Sequence, residues 1–274
     1  MAETVRAALA RAAAELADWS VSARLDAELL MASALGVGRD ALLLGRLDDP
    51  SPVAFEALLD RRRRHEPVAY IVGERDFWTI TLAVGPGVLV PRPDSETLIE
   101  AAVEHFGGCG PATILDLGTG SGALLLAALA EWPDARGVGV DRSDDALAIA
   151  TRNAERLGLA VRAELRAGDW GQGIEGPFDL ILCNPPYIEM DADLAAEVRG
   201  YEPAGALFAG IDGLDDYRRL GPDIARLLAP AGLAVVEIGW TQAEAVCALL
   251  ADAGLTTMVR QDLGGRDRAI VARH

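Results

Sequence analysis

Residues 113–122 read Thr-Ile-Leu-Asp-Leu-Gly-Thr-Gly-Ser-Gly, and an Ala- and Leu-rich run follows to about Glu131. The apolar first half predicts a buried strand, and the run after the glycines predicts a helix. Glycines between a strand and a helix let the backbone approach a ligand, and the helix start offers unpaired N–H donors. The Gly-x-Gly-x-Gly spacing differs from the Gly-x-Gly-x-x-Gly of dinucleotide-binding loops. The stretch therefore predicts an α/β unit whose loop faces a ligand of another kind.

Strands and helices alternate after this loop. Strands are predicted at Gly137–Val140 and Phe178–Cys183, with a helix from Ser143 through Asn153 and a further strand between them. Such alternation is typical of a doubly wound, mostly parallel sheet, whose ligands bind at the carboxyl ends of the strands. Further along, the pattern predicts a helical insertion, a helix, a strand and another helix before two final strands, at residues 191–198, 217–228, 233–238 and 242–253.

The chain before the sheet is predicted to be helical up to about Glu66. Its first helix shows apolar residues at three- and four-residue spacing, Ser22 is placed to cap a second helix that ends near Gly36, and Pro52 can start another. The run Arg61–Arg64 at the end of that last helix has two interpretations. It is either a solvated helix end, where cations interact favourably with the helix dipole, or a docking patch for an acidic macromolecule.

A β-hairpin is predicted between the helical part and the sheet. Asp76–Leu82 alternates like a strand, Gly85-Pro86-Gly87 predicts a turn, and Val88–Val90 would be the second strand, before a helix from about Asp94 to Phe106. We therefore expect a helical domain at residues 1–75, a hairpin linker at residues 76–93 and a sheet domain at residues 94–274.

The composition excludes several classes of function. Twenty-five basic and 42 acidic residues give a formal net charge of −17 over 274 residues, which argues against broad electrostatic capture of nucleic acid or of an anionic membrane. The three cysteines have no CxxC spacing, so neither a disulfide framework nor a zinc site is predicted. Charged residues interrupt any signal-peptide core, and no apolar stretch reaches membrane-spanning length. We therefore expect a cytoplasmic protein without a metal centre.

Acidic and aromatic side chains follow the predicted strands. A carboxylate at Asp116 would repel phosphate and attract an ammonium group, while Asp141 stands about 20 residues after the loop, where an acid can bind both ribose hydroxyls. Asp169 can accept from an adenine amino group, and Trp170 can cover the ring or pack in the core. A cap on the next helix is the alternative for Asp141, although Ser143 fits that role better. Together these groups describe a nucleoside that carries an amino acid, which S-adenosylmethionine fits.

The tetrapeptide Asn184-Pro185-Pro186-Tyr187 follows the predicted strand Phe178–Cys183. Proline has no N–H and a fixed φ, so the backbone leaves the strand rigid and extended. The Asn184 side-chain oxygen and the Pro185 carbonyl then form two acceptors at fixed spacing, which suits a planar NH2 group, and Tyr187 could cover its flat face. The alternative is a turn that merely ends the strand.

These motifs resemble those of the Rossmann-like S-adenosylmethionine-dependent methyltransferases. The wider set resembles one family among them, the peptide chain release factor glutamine methyltransferases (HemK or PrmC family). Asn-Pro-Pro-Tyr is shared with methyltransferases of exocyclic amines of adenine and guanine, whereas Pro-Arg-Pro before the sheet domain is more specific. Asp94-Ser95-Glu96 departs from the Glu-Thr-Glu or Asp-Thr-Glu usual there. Besides the motifs above, the matching stretches are residues 66–73, Phe77-Trp78, Val90–Pro93, Tyr201–Pro203, Asp212–Leu214 with Tyr217-Arg218, Glu237–Gly239 and Gly265–Arg268.

The resemblance implies a mostly parallel sheet of seven strands with one antiparallel strand. It implies methylation of the side-chain amide nitrogen of the glutamine in the Gly-Gly-Gln motif of bacterial release factors, with modulation of translation termination. S-adenosylmethionine would be the cofactor and S-adenosylhomocysteine its product. Asn184, Pro185 and Tyr187 would be catalytic, and Asn184, Pro185, Pro186 and Tyr187 would contact the substrate. The cofactor-binding residues would be Asp116, Gly118, Thr119, Gly120, Ser121, Gly122, Asp141, Asp169, Trp170 and Asn184.

The resemblance further implies release factors as the partners of the helical domain, with no membrane and no stable nucleic-acid partner, and we expect a monomer. One rival is a methyltransferase of exocyclic amines in nucleic acid, which only Arg61–Arg64 favours and the net charge of −17 opposes. A second is a nucleotide-binding module or dehydrogenase without methyl transfer. The loop spacing and the Asn-Pro-Pro-Tyr segment speak against it.

Overall fold

A computed structural model describes residues 3–274, which form two compact units. The first comprises residues 3–74 with Leu194–Tyr201, and the second comprises Arg75–Asp193 with Glu202–His274. Within residues 3–274, no helix combines the length and the apolar character that crossing a membrane would require.

The first unit is helical. Thr4 caps its first helix by accepting a hydrogen bond from the backbone N–H of Ala7 (3.3 Å), and Gly36 ends the second in the left-handed conformation (φ 65°). Apolar faces of these helices form a core of their own around Leu9, Leu30 and Phe55, each fully buried. The helices are α1 (Val5–Leu16), α2 (Ala23–Leu35), α3 (Arg39–Gly45), α4 (Ala54–Arg63), α5 (Val68–Val72) and α9 (Ala196–Tyr201).

The run Arg61–Arg64 lies at the end of α4, where Arg61, Arg62 and Arg63 form ion pairs inside the unit. Arg61 pairs with Glu66, Arg62 with Asp26 and Glu197, and Arg63 with Glu15, Glu56 and Asp60. The pairs favour a structural helix end over a docking patch, but Arg62 is buried and not solvated as the first interpretation expected. The pair with Glu197 also links α4 to Leu194–Tyr201, a segment that overlaps the helical insertion predicted for the sheet domain at residues 191–198.

The predicted hairpin is present, but its predicted strands were wrong. Strand β1 (Glu74–Phe77) and strand β2 (Ile80–Ala83) pair around a turn at Trp78-Thr79, in the middle of the predicted first strand. Trp78 adopts φ 54°, a region that favours glycine, and its N–H donates to Glu96 Oε1 (2.9 Å). A tryptophan gives no turn signal in sequence, and the conformation is supported by this tertiary contact and by a second one, from the indole Nε1 of Trp78 to Glu131 Oε2 (3.1 Å). Val88–Val90, predicted as the second strand, is loop.

The second unit contains, within the described residues, a seven-stranded sheet with strand order β5-β4-β3-β6-β7-β9-β8. All pairs from β5 to β7 are parallel, and β9 runs antiparallel to both β7 and β8, which confirms the predicted sheet. The strands are β3 (Thr113–Leu117), β4 (Arg136–Asp141), β5 (Ala163–Ala167), β6 (Phe178–Cys183), β7 (Leu228–Glu237), β8 (Thr256–Gln261) and β9 (Asp267–Arg273). The helices are α6 (Glu96–Phe106), α7 (Ala123–Glu131), α8 (Asp144–Arg156), α10 (Asp215–Leu227) and α11 (Ala243–Asp252).

Strands β3 and β6 lie side by side in the middle of the sheet and are almost entirely buried. Strand β4, which follows β3 in the chain, lies on one side of β3, and β6 lies on the other side. The strand order therefore switches direction between β3 and β6. In α/β sheets such a switch opens a crevice at the carboxyl ends of the strands. Leu117 is level with Cys183, so Gly118 and Asn184 leave the sheet beside each other.

Candidate active site

A cavity of about 340 Å³ lies at the carboxyl edge of the sheet, within the size range of small-molecule sites. Four strand ends contribute to it, together with the loop before α6. Of the residues predicted for the site, its wall includes Gly118, Thr119, Gly120, Ser121, Asp141, Asp169, Trp170, Asn184 and Pro186. Asp116, Gly122, Pro185 and Tyr187 lie behind or beside that wall.

The loop glycines adopt backbone conformations that other residues rarely adopt. Gly118, Gly120 and Gly122 have φ of 75°, 55° and 84°. A Cβ on Gly118 would lie 3.0 Å from the ring of Trp170, and one on Gly122 would lie 2.9 Å from Leu126. A Cβ on Gly120 would meet nothing closer than 4.0 Å, so this glycine keeps space open at the cavity wall. The loop therefore exposes backbone to a ligand at Gly120 and packs tightly on either side.

Asp116 is fully buried beneath the loop. Its Oδ2 accepts hydrogen bonds from Thr119 Oγ1 (2.6 Å) and from the backbone N–H of Leu125 (3.3 Å). Burial raises the pKa of Asp116 to about 7, and these two hydrogen bonds oppose the rise. Among the described residues, Oδ1 has no hydrogen-bond partner. Asp116 thus holds the loop with one oxygen and leaves the other for a donor.

Asp141, at the end of β4, ties the loop to the start of α8. Its Oδ2 accepts from the N–H of Gly120 (2.8 Å), and its Oδ1 accepts from the N–H of Ser143 (2.9 Å). Ser143 caps α8 through a hydrogen bond from Ala146 N (3.2 Å), so the cap does not need Asp141. Because each carboxylate oxygen can accept more than one hydrogen bond, Asp141 can still accept from two hydroxyls in the cavity.

Asp169 and Trp170 follow β5 and line the cavity. The half-buried Trp170 ring faces Gly118 and also packs against the core of the sheet, so both interpretations of this tryptophan apply. Its Nε1 donates to Asp216 Oδ1 (3.2 Å). Asp169 accepts from Gln172 Nε2 (3.1 Å) and pairs with Arg219, which fixes the carboxylate at the rim.

The Asn-Pro-Pro-Tyr segment forms the wall after β6. The Nδ2 of Asn184 donates to Ser95 Oγ (3.2 Å), and both prolines are buried. The hydroxyl of Tyr187 donates to Glu237 Oε1 (3.4 Å), and burial raises the pKa of this tyrosine. The main-chain carbonyl of Tyr187 accepts from Gln242 Nε2 (3.0 Å), so the segment is held from several sides.

Several residues of the cavity wall were missed in the sequence analysis. Phe77 and Leu89, from the region where the hairpin turns earlier than predicted, line the cavity. Arg142 also lines the cavity, and its guanidinium group donates to the carbonyl of Gly205 (2.9 Å). Ser95 stands in Asp94-Ser95-Glu96, directly after the quoted Pro-Arg-Pro stretch, and that stretch was the signal that could have identified it. In the same stretch Arg92 pairs with Glu202 (2.6 Å), so two motifs of the resemblance meet here.

The cavity wall, together with Asp116 behind it, fits S-adenosylmethionine on structural grounds. Asp116 Oδ1 is a buried acceptor suited to an ammonium group, Gly120 leaves room for a ligand against the backbone, and Trp170 provides an aromatic face. Asp141 provides a carboxylate for hydroxyl groups. Residues 3–274 contain no cluster of three or more His, Cys, Asp or Glu side chains that could hold a metal ion.

Comparisons with known proteins agree with this geometry. A family profile described as PrmC N-terminal domain matches residues 7–73, and one described as Methyltransferase domain matches residues 111–259. The release factor glutamine methyltransferase of Rhodospirillum rubrum is 48% identical over 257 residues, covering 91% of this chain and 78% of that protein. That of Cereibacter sphaeroides is 46% identical over 280 residues, covering 99% of this chain and 98% of that protein.

Among solved structures, a methyltransferase from Pyrococcus furiosus aligns with a TM-score of 0.53 and 20% identity, over 70% of this chain and 86% of that chain. This likeness supports the fold alone. Matches to both domains, and relatives at this identity over nearly the whole length, show that the chain belongs to the release factor glutamine methyltransferase family.

Proposed function

We propose that this chain transfers a methyl group from S-adenosylmethionine to the side-chain amide nitrogen of the glutamine in the Gly-Gly-Gln motif of bacterial release factors, and so modulates translation termination. Its membership of the family supports the proposal. The observation that carries it furthest is the amide of Asn184, which lines the cavity and directs its nitrogen at Ser95. The amide oxygen then remains to accept from a substrate NH2 group.

The residues that would hold S-adenosylmethionine surround the same cavity. When bound, it supplies a methyl group on a positively charged sulfur. We expect Asp116 Oδ1 to accept from its ammonium group and Asp141 to accept from its ribose hydroxyls. Asp169 would accept from the adenine amino group, and Trp170 would cover the ring. The backbone from Gly118 to Gly122, together with Asn184, would complete the contacts.

The chemistry that the chain must perform is the activation of a weak nucleophile. The lone pair of an amide nitrogen is delocalised into its carbonyl group. Acceptors on both hydrogens, the side-chain oxygen of Asn184 and the carbonyl of Pro185, orient the nitrogen and stabilise the positive charge that develops on it. Pro186 keeps this backbone rigid, and the ring of Tyr187 would support the flat amide. Good orientation of reactants alone can contribute roughly 7–11 kcal/mol.

We assign one role to each of the predicted domains. The helical domain at residues 1–75 docks the release factor, the hairpin region at residues 76–93 is the linker, and residues 94–274 carry out methyl transfer. The protein acts as a monomer in the cytoplasm, without a stable nucleic-acid partner. The net charge of −17 and the ion pairs of Arg61–Arg63 support the last point. Light scattering gives the molar mass of the protein alone and in the presence of ribosomal RNA. It therefore tests whether the protein is a monomer and whether it forms a stable complex with RNA.

A methyl-transfer assay with labelled S-adenosylmethionine tests the function. The substrates are a purified bacterial release factor, its variant with Gln replaced by Ala in the Gly-Gly-Gln motif, and ribosomal RNA. The enzyme is used as wild type and as Asn184→Ala. We expect label on the wild-type factor only, and a rate with Asn184→Ala that is lower by about 10²–10³, as for loss of a hydrogen bond to developing charge.

The control is the affinity for S-adenosylmethionine, measured by calorimetry, because a folded Asn184→Ala loses one of several cofactor contacts and must still bind it measurably. Label on the RNA and none on the factor would overturn the proposal in favour of the nucleic-acid rival. Equal label on the factor and its Ala variant would show that another residue is methylated.

A further inference from the structure

The side-chain amide of Gln242 joins three segments at the carboxyl edge of the sheet. Its Nε2 donates to the backbone carbonyls of Tyr187 (3.0 Å) and Gly213 (3.3 Å), and its Oε1 accepts from the N–H of Gly239 (3.0 Å). Gln242 stands directly before α11, and its own N–H donates to the carbonyl of Gly239 (2.8 Å), which fixes the start of the side chain. The amide therefore uses its nitrogen as a double donor and its oxygen as an acceptor.

Two glycines let the backbone come this close to the amide. Gly213 adopts φ 69°, and a Cβ there would clash with the carbonyl of Tyr187 and lie 2.8 Å from Nε2 of Gln242. A Cβ on Gly239 would lie 2.8 Å from Oε1 of Gln242 and 3.4 Å from the ring of Tyr187. Both glycines stand in stretches that carry the family resemblance and that have no role in the proposed contacts with cofactor or substrate.

The loop around Gly213 is itself held in place. Oδ1 of Asp212 accepts from the N–H of Leu214 (3.1 Å) and from the guanidinium group of Arg218 in α10 (3.1 Å). The carbonyl of Gly213 is therefore presented from a fixed turn, and Gln242 connects this turn to the Asn-Pro-Pro-Tyr segment.

We propose that Gln242 is a positioning residue for methyl transfer, which holds the backbone of Tyr187 so that its ring supports the amide of the substrate glutamine. Only a side-chain amide can donate twice and accept at the same position, whereas a carboxylate would face two carbonyl oxygens with no hydrogen to donate. Gln242 does not line the cavity, so it acts through Tyr187. This inference rests on the proposed function, in which Tyr187 contacts the substrate.

Two substitutions separate the parts of the amide. Gln242→Glu keeps the shape and the acceptor for Gly239 but cannot donate when ionised, and Gln242→Met keeps the length without either group. The matched control is Gln261→Met, because Gln261 is an exposed glutamine of β8 whose Nε2 donates to Asp267 (3.0 Å). Rates at pH 8 with labelled S-adenosylmethionine and a release factor give kcat and KM. Calorimetry gives the affinity and the stoichiometry of S-adenosylmethionine binding.

We expect both Gln242 variants to lower kcat at least fivefold, because a misplacement of about 1 Å in a group that orients the reactants can cost roughly 100-fold. The KM for the release factor and the affinity for S-adenosylmethionine should stay within threefold. A binding stoichiometry near one shows that the variant is folded. Gln261→Met should stay within twofold of wild type in kcat.

A Tyr187→Ala background tests whether Gln242 acts through Tyr187. There, Gln242→Met should lower the rate of methyl transfer less than twofold, since the ring that it positions is gone. A general structural effect would lower the rate by the same factor in both backgrounds. Single-turnover reactions with enzyme in excess keep the slow variants measurable.

If Gln242→Glu does not fold, Gln242→Met decides. A loss of kcat smaller than fivefold in a folded Gln242→Met, or a loss of twofold or more in the Tyr187→Ala background, would overturn this inference alone. Wild-type protein that leaves the factor unlabelled would overturn the proposed function and this inference with it.

Discussion

The side chain of Asn153 in helix α8 hydrogen bonds to both backbone groups of Ala83, at the end of the hairpin. Oδ1 accepts from the N–H of Ala83 (2.7 Å), and Nδ2 donates to its carbonyl (3.0 Å). Nδ2 also donates to the carbonyl of Ser121 in the glycine loop (2.9 Å). The buried side-chain amide of Asn153 therefore makes the two backbone hydrogen bonds that a neighbouring strand would make with the end of β2. It also connects β2 to the glycine loop that lines the cavity.

We expect Asn153→Ala to lower the free energy of unfolding by about 3 kcal/mol, because each buried polar group left unsatisfied costs roughly 1–3 kcal/mol. Urea denaturation measures the change. Thr151→Ala, on an exposed face of the same helix, is the matched control and should stay within about 0.5 kcal/mol of wild type. Equal effects of the two substitutions would mean that the Asn153 hydrogen bonds contribute little.

The central strands were predictable because their signal is local. Thr113–Leu117 and Phe178–Cys183 have the predicted bounds, since a short apolar run beside glycine or proline has few other conformations. The turn at Trp78 was not predictable, because its support comes from Glu96 and Glu131, which are far from Trp78 in sequence and leave no local pattern.

The candidate site follows the same rule. Asp141 is the last residue of β4 and Asn184 directly follows β6, so their position at the sheet edge follows from the topology alone. The burial of Asp116 and the hydrogen bond from Asn184 to Ser95 depend on how segments far apart in sequence pack together. Residue types were therefore predictable here, while hydrogen-bond partners were not.

Adding a side-chain methyl group at Gly120 should impair binding of the ligand more than it impairs folding. Gly120→Ala places a Cβ in open space at the cavity wall, and Gly173→Ala does the same at φ 71° away from the cavity. Both should lose about 1–2 kcal/mol of stability from the left-handed backbone. Only Gly120→Ala should weaken binding of S-adenosylmethionine, by at least tenfold in calorimetry. Similar affinities in the two variants would argue that the ligand does not approach Gly120.

Asp141 is expected to bind ribose hydroxyls while it accepts from Gly120 and Ser143. Asp141→Asn removes the charge and places an NH2 group against one of these N–H donors. We expect S-adenosylmethionine to bind at least tenfold more weakly, since hydrogen bonds to a charged group contribute about 1.5–3 kcal/mol. Asp144→Asn, exposed in the first turn of the same helix, controls for the loss of one negative charge. A comparable loss of affinity in Asp144→Asn would point to a general electrostatic effect.

Asp116 should make the protein less stable as the pH rises. Burial raises its pKa from the ordinary 3.8 to about 7 in the folded protein, so between these pH values the unfolded chain has released the proton that the folded chain keeps. The free energy of unfolding then falls with rising pH, by up to about 1.4 kcal/mol per pH unit. Buried Glu237 contributes in the same direction, because burial raises its pKa as well.

Asp116→Asn separates the two contributions, since it is nearly isosteric and cannot ionise. The difference in unfolding free energy between wild type and Asp116→Asn should grow in favour of the variant as urea titrations move from pH 5 to pH 7, and should then level off. A difference that is constant across this range would show that Asp116 titrates at its ordinary pKa.

Arg62 is the buried member of the arginine run, with only 4% of its side chain exposed. Its guanidinium group donates to Asp26 (2.9 Å) and Glu197 (2.6 Å) and lies 4.7 Å from the ring centroid of Trp19. Arg62→Met leaves the Asp26 carboxylate buried without its cation, which costs roughly 3–5 kcal/mol for a buried pair. Arg64→Ala, next to the end of α4, should stay within about 0.5 kcal/mol of wild type.

The two substitutions separate a structural role of the run from a docking role. Hydrogen exchange should show faster exchange in α2 and α4 of Arg62→Met, with the large sheet unchanged, because the lost pair lies inside the helical unit. If Arg64→Ala raises KM for the release factor while its stability is unchanged, that end of the run contacts the substrate. If Arg62→Met is as stable as wild type, the ion pair does not hold Leu194–Tyr201 to the helices, and the packing of α9 must have another cause.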